Sequence, residues 1–144
     1  MYCMSLDPGG TTGIVFVDDE TAPWKLRVNQ MGPEPHHKRL LDLLNLWNPK
    51  VIVCEGWDIR HNDAAQPIPL EYIGVVKAYA QGRKGLTQLV MQPAGTGLEF
   101  WDNDKLHKYG VYFPGKHARD ACRHYLYYRT FTCKDQSLLK SIRP

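Results

Sequence analysis

Leu6-Asp7-Pro8-Gly9-Gly10-Thr11-Thr12-Gly13 separates two apolar runs, Tyr2 to Leu6 and Ile14 to Val17, and its composition predicts a tight reversal between two short strands. Pro8 fixes its own φ and lacks a backbone N–H, while Gly9 and Gly10 admit positive φ. Asp7 is thereby expected at the end of a sheet strand, facing open space, where a carboxylate suits a metal ion or a phosphate-bearing substrate. The same residues also suit a plain hairpin in which Asp7 bonds only to its own turn. The choice between the two depends on whether other acids converge on the same place.

Downstream of the hairpin, Asp18 to Pro23 reads as a polar turn and Trp24 to Met31 as a third antiparallel strand. Gly32-Pro33-Glu34-Pro35 breaks that pattern, and Leu40, Leu41, Leu44 and Trp47 fall at helical spacing, which predicts a helix from Pro35 to Trp47. Lys50 to Glu55 is a continuous β-branched run ending in a carboxylate, the pattern of a strand buried on both faces. Gly56 to Pro69 reads as a long loop, Leu70 to Gln81 as a second helix with a basic exit, and Leu86 to Gln92 as a fifth strand. Pro93 to Gly97 is expected to be a flexible connection, Asp102 to Lys108 a short helix, and Lys116 to Tyr128 the last helix. A right-handed crossover makes the strand after the first helix parallel to the first strand, which brings Asp7 and Glu55 to one sheet edge. Adjacent strands lie about 4.8 Å apart, close enough for two carboxylates to share an ion.

The chain has 144 residues, of which 43% are hydrophobic and 23% charged. That is one domain by length and ordinary globular composition. No stretch approaches the roughly 20 apolar residues of a membrane span, and the first residues lack a basic-then-apolar export pattern, so the expected location is the cytoplasm. Cys3, Cys54, Cys122 and Cys133 are scattered with no C-x-x-C pair, which argues against a zinc site and against any need for disulfides. The net charge of +3 is unevenly spread: residues 102 to 144 hold nine Lys and Arg against four Asp and Glu. Such a basic third favours a polyanionic partner, although ordinary surface scatter gives a similar count.

Gly115 to Ala121 opens the final helix, and its His117 and Asp120 lie three residues apart on one face of the first turn. There they can serve one metal, or Asp120 can simply favour the helix dipole with His117 exposed. The combination of Leu6-Asp7-Pro8-Gly9 with Thr12-Gly13, Val51 to Glu55, and His117-Ala118-Arg119-Asp120-Ala121 resembles the RuvC family of Holliday junction resolvases, in the RNase H-like superfamily, and its spacing is similar to that of compact phage-encoded members. The resemblance runs from Tyr2 to about Tyr128. It implies an α/β RNase H-like fold with a five-stranded mixed sheet flanked by helices in residues 1 to 128, followed by a basic C-terminal tail in 129 to 144. It further implies a homodimer and Mg²⁺- or Mn²⁺-dependent cutting of branched DNA, with Asp7, Glu55 and Asp120 as the catalytic acids. His117 stands where many members carry Asp and others His, which leaves three carboxylates and makes His117 either a ligand or a proton relay.

Three acids at close quarters raise one another's pKa unless a cation joins them. Oxygen donors favour Mg²⁺ or Mn²⁺ over zinc, and two ions about 4 Å apart can drive in-line displacement at a DNA phosphate. Asp7 is then expected to bridge, Glu55 and Asp120 to flank, and His117 to ligate or act as base. Lys105, Lys108, Lys116, Arg119 and Arg123 are candidates for phosphate contacts. Trp57, Ile59, Arg60 and His61 lie where a loop after Glu55 can reach an opened junction, with packing of Trp57 on the sheet as the plainer alternative. Thr96 lies where a substrate strand can pass. His36 and His37 read as an exposed helix start. Rival readings are an RNase H-type or a flap or fork nuclease of the same fold, a DNA-binding protein without catalysis, and, from Asp7 with Gly10-Thr11-Thr12-Gly13, an actin-like ATP-binding fragment, for which the chain is short.

Overall fold

The computed structural model describes residues 2–18, 20–23, 25–56, 67–135, 137 and 140. Strands β1 (Tyr2–Asp7), β2 (Thr12–Asp18) and β3 (Arg27–Met31) form an antiparallel meander, followed by α1 (His37–Trp47), β4 (Val51–Glu55), α2 (Pro67–Gly82), β5 (Gln88–Gln92), α3 (Asn103–Lys108) and α4 (Lys116–Tyr127). The five strands make one mixed sheet in the order β3-β2-β1-β4-β5, with β4 parallel to β1 and β5 parallel to β4.

Strand alternation divides the core into two halves. Even-numbered Met4, Leu6, Ile52 and Cys54 pack with Leu40 and Leu44 of α1 and Tyr72, Ile73 and Val76 of α2. Odd-numbered Cys3, Val51 and Val53 face Leu106 of α3 and Ala121, Cys122, Tyr125 and Leu126 of α4, with Trp101 fully buried among them. Val51 to Cys54 are all buried, as a strand covered on both faces requires. Cys3, Cys54 and Cys122 are buried free thiols, and Cys133 is an exposed one.

Several boundaries differ from the sequence reading, α1 starting at His37, β5 at Gln88 and α3 at Asn103. α2 begins at Pro67, not Leu70; proline in a first helical turn removes only an N–H that has no partner inside the helix, so Pro67 and Pro69 open the helix without breaking it. β3 begins at Arg27, and Trp24 lies outside the described residues. The connection after β5 is no loose linker. Its N–H groups close turns from Thr96 to Pro93, Leu98 to Gly95 and Trp101 to Gly97, with Gly95 and Gly97 at φ of 76° and 83°, and so deliver Trp101 to the core. Beyond Tyr127 the helix continues as a π-helical turn, Tyr128–Thr132, in which Thr130 is buried. His37 starts α1 and bonds to Glu71 at 3.2 Å. No helix among the described residues is long and apolar enough to cross a membrane.

Candidate metal and nucleic-acid site

Leu6 of β1 is level with Cys54 of β4, so the next residue of each strand, Asp7 and Glu55, ends it at the same sheet edge and on the same face. β5 adds Gln92, level with Glu55. All three side chains belong to the face covered by α4, whose residues 117, 120 and 124 recur at the three- and four-residue intervals of one helical stripe.

The approach of α4 is set by small groups. Ser5 Oγ donates to the Ala121 carbonyl at 2.7 Å. A Cβ on Gly13 would stand 2.0 Å from the His117 carbonyl oxygen, so only glycine lets the helix reach the hairpin. Gln30, paired with Gly13 across β2 and β3, accepts the Ala118 N–H at 3.2 Å. It supplies the first turn of α4 with an acceptor that the N-cap, Gly115, lacks.

Each acid meets its own partner. Asp7, 5% exposed, shares a hydrogen bond with His117 Nδ1 at 2.9 Å. Glu55 Oε2 lies 2.7 Å from His124 Nε2. Asp120 accepts from Arg123 at 2.7 Å. Burial, and after it the negative charge of Glu55, a hydrogen bond with that carboxylate and the charge of Asp120, push the Asp7 carboxyl up to about 9, with Lys116 pulling it down. Burial also pushes the nearby Cys54 thiol up to about 12. A cavity of about 340 Å³ opens beside the acids, walled by Glu55, Asp120, Lys116, Arg119, Thr96 and Asn103 among others.

No protein-family model matches the chain, and no curated protein matches it in sequence. Solved structures do match. RuvC of T. thermophilus in complex with a Holliday junction substrate aligns at 16% identity and a TM-score of 0.67, covering 94% of this chain and 96% of that one. The Holliday junction resolvase of fowlpox virus, in complex with its substrate Holliday junction DNA, aligns at 13% identity and 0.57, covering 89% and 96%. The fold is that of the RuvC-like resolvases. The expected five-stranded mixed sheet flanked by helices is therefore present, in the RNase H-like arrangement.

Within this RuvC-like fold the sequence-derived residues separate into four sets. Asp7, Glu55, His117 and Asp120 come together at one sheet edge, and Lys116 and Arg119 join Glu55 and Asp120 in the cavity wall. Arg119 also donates to the carbonyls of Phe113 at 3.0 Å and Pro114 at 2.7 Å. Arg123 lies by the cavity, but its guanidinium is turned inward. It is 5% exposed and donates to Asp120, to the Trp101 carbonyl at 2.8 Å and to Asn103, so it braces Asp120 and is not an open phosphate contact. Lys105 and Lys108 stand on α3 away from the cavity, Lys105 over the Phe100 ring at 3.8 Å and Lys108 over Tyr109 at 5.7 Å. Trp57, Ile59, Arg60 and His61 lie outside the described residues.

His124, Gln92, Gln30 and Asn103 were not read from the sequence. His124 alone carried a signal: it continues the stripe of His117 and Asp120 one turn further.

Among the described residues no three His, Cys, Asp or Glu side chains stand close enough to hold an ion as they are. Donor chemistry and charge nevertheless fit a hard divalent cation. The acids offer oxygen only, and the Asp7 carboxyl, pushed up first by burial and then by the charges of Glu55 and Asp120, feels a repulsion that a cation at this edge would relieve.

Proposed function

We propose that the protein is a divalent-metal-dependent endonuclease that resolves Holliday junctions or related branched DNA by phosphodiester hydrolysis, acting as a homodimer in the cytoplasm. The observation that carries this reading is the convergence of Asp7, Glu55 and Asp120, from the two ends of the chain and its middle, beside a cavity that also presents Lys116 and Arg119, in a fold shared with proteins solved on junction DNA.

Asp7, Glu55 and Asp120 are the residues that would hold Mg²⁺ or Mn²⁺, two ions in all. Bound there, the metal supplies Lewis-acid activation of water and of the leaving 3′ oxygen. The chain's own side chains do the rest. Lys116 and Arg119 neutralise phosphate charge and place the scissile group at the acids. His117 has Nδ1 committed to Asp7, which leaves Nε2 to take the proton of the attacking water as the P–O3′ bond breaks. Two copies related by a twofold axis would place two such sites on one four-way junction, and symmetric paired cuts follow from that symmetry.

Purified protein with Mg²⁺ or Mn²⁺ is to be assayed on a mobile four-way junction, a flap, a linear duplex and an RNA–DNA hybrid. Paired symmetric incisions on the junction, abolished by chelation, are the expected result. Absence of metal-dependent cutting of any branched DNA, or preference for the hybrid, would overturn the reading.

A further inference from the structure

His124 is 1% exposed and is held between two oxygen-bearing side chains, Glu55 at Nε2 (2.7 Å) and Gln92 at Nδ1 (2.6 Å). As the Gln92 amide stands, its Oε1 faces the ring and its Nε2, buried, has no partner among the described residues. An unpaired buried N–H costs more than an unpaired carbonyl. Turning the amide by 180° about its terminal bond, which exchanges its oxygen and nitrogen at nearly the same positions, gives that nitrogen a partner in His124 Nδ1. The NH₂ then donates to Nδ1, the ring proton is placed on Nε2, and Nε2–H donates to Glu55 Oε2. This arrangement gives both ring nitrogens of His124 and the amide nitrogen of Gln92 a hydrogen-bond partner.

We propose that His124, with its tautomer set by Gln92, is a positioning residue for Glu55: by holding Oε2 it fixes the direction in which the carboxylate faces Asp7 and a cation. The proposal rests on the metal-dependent reading of the site. It extends that reading to residues that touch neither cation nor DNA, one on the last helix and one at the end of β5. Partners that orient a ligand in this way commonly affect metal affinity by about 10- to 100-fold.

The test uses the full chain, wild type, His124→Phe, His124→Gln and Gln92→Met. Mn²⁺ binding is measured directly by calorimetry, and cleavage of a four-way junction is titrated with Mn²⁺; thermal melting reports the fold. His124→Phe is expected to weaken Mn²⁺ binding about 10-fold or more and to raise the Mn²⁺ needed for half-maximal cleavage to match. His124→Gln, whose amide restores an N–H toward Glu55, is expected to recover most of the affinity, and Gln92→Met to lose several-fold. Wild-type Mn²⁺ affinity in folded His124→Phe, or equal losses in the Phe and Gln variants, overturns the proposal. If His124→Phe does not fold, Gln92→Met decides by the same criterion. A wild type that binds Mn²⁺ but cuts no branched DNA sinks the nuclease reading alone, and the affinity ratios still decide the role of His124. A wild type that binds no Mn²⁺ sinks both.

Discussion

Asp7→Asn keeps the size of the side chain and its bond to His117 while removing the carboxylate on which cation binding turns. Cleavage is expected to fall about a thousandfold or more, the equivalent of the several kcal/mol a metal contributes to such a reaction, while junction binding in gel shift is retained. The same group makes the metal-free protein sensitive to pH. The Asp7 carboxyl is at 3.8 when unfolded and about 9 when folded, so between those values the folded state holds a proton that the unfolded state has released. Stability in chelator should therefore decline as pH rises from about 4 to about 9, by on the order of 1 kcal/mol per pH unit at its steepest. Asp7→Asn should flatten that decline, which melting curves at pH 6 and pH 9 will show. Asp7, Glu55 and Asp120 were legible because each sits where a pattern ends: an apolar run before Pro-Gly-Gly, a β-branched run, the opening of a helix. His124 was not, since a histidine in mid-helix looks alike whether it faces solvent or a carboxylate, and its second partner, Gln92, comes level with Glu55 only once the β4–β5 register is known.

The docking of α4 on β1 and β2 is the contact that brings His117 and Asp120 to the acids of the sheet. Gly13→Ala sets a methyl group 2.0 Å from a backbone oxygen, which cannot be relieved by rotating a side chain. A loss of about 2 to 3 kcal/mol in urea unfolding is expected, with cleavage reduced beyond what the unfolded fraction explains. Leu44→Ala, in α1 on the opposite face of the sheet, should cost a comparable 2 to 5 kcal/mol yet leave the specific activity of the folded protein intact. Equal activity losses in the two variants would show that α4 docking has no special bearing on the site. The order of these elements was readable from periodicity and from the crossover rule. The start of α2 was misplaced because two prolines looked like loop, and the turns after β5 looked slack because Pro, Gly and Thr promise a bend without saying that its N–H groups are satisfied.

Junction affinity should fall steeply with salt, as expected when cationic side chains displace condensed counterions from DNA. Lys116→Ala and Arg119→Ala are each expected to reduce the slope of log K against log salt by about one, best measured in the Asp7→Asn background so that substrate stays intact. Arg123→Ala should behave differently. Its guanidinium is spent on Asp120, Asn103 and the Trp101 carbonyl, so the variant should lose stability and metal-dependent cleavage with little change in salt slope. The basic third of the sequence pointed to a polyanion, but charge counting does not say which cations face outward.

Asp7 meets His117 across 110 positions of chain. A ribosome delivers Asp7 early, Glu55 midway and Asp120 only when α4 emerges, and domains fold as units during synthesis. A chain released before α4 is made therefore carries two of the three acids. On the proposed reading, the cation site would thus be completed only once α4 has been made and docked on β1 and β2.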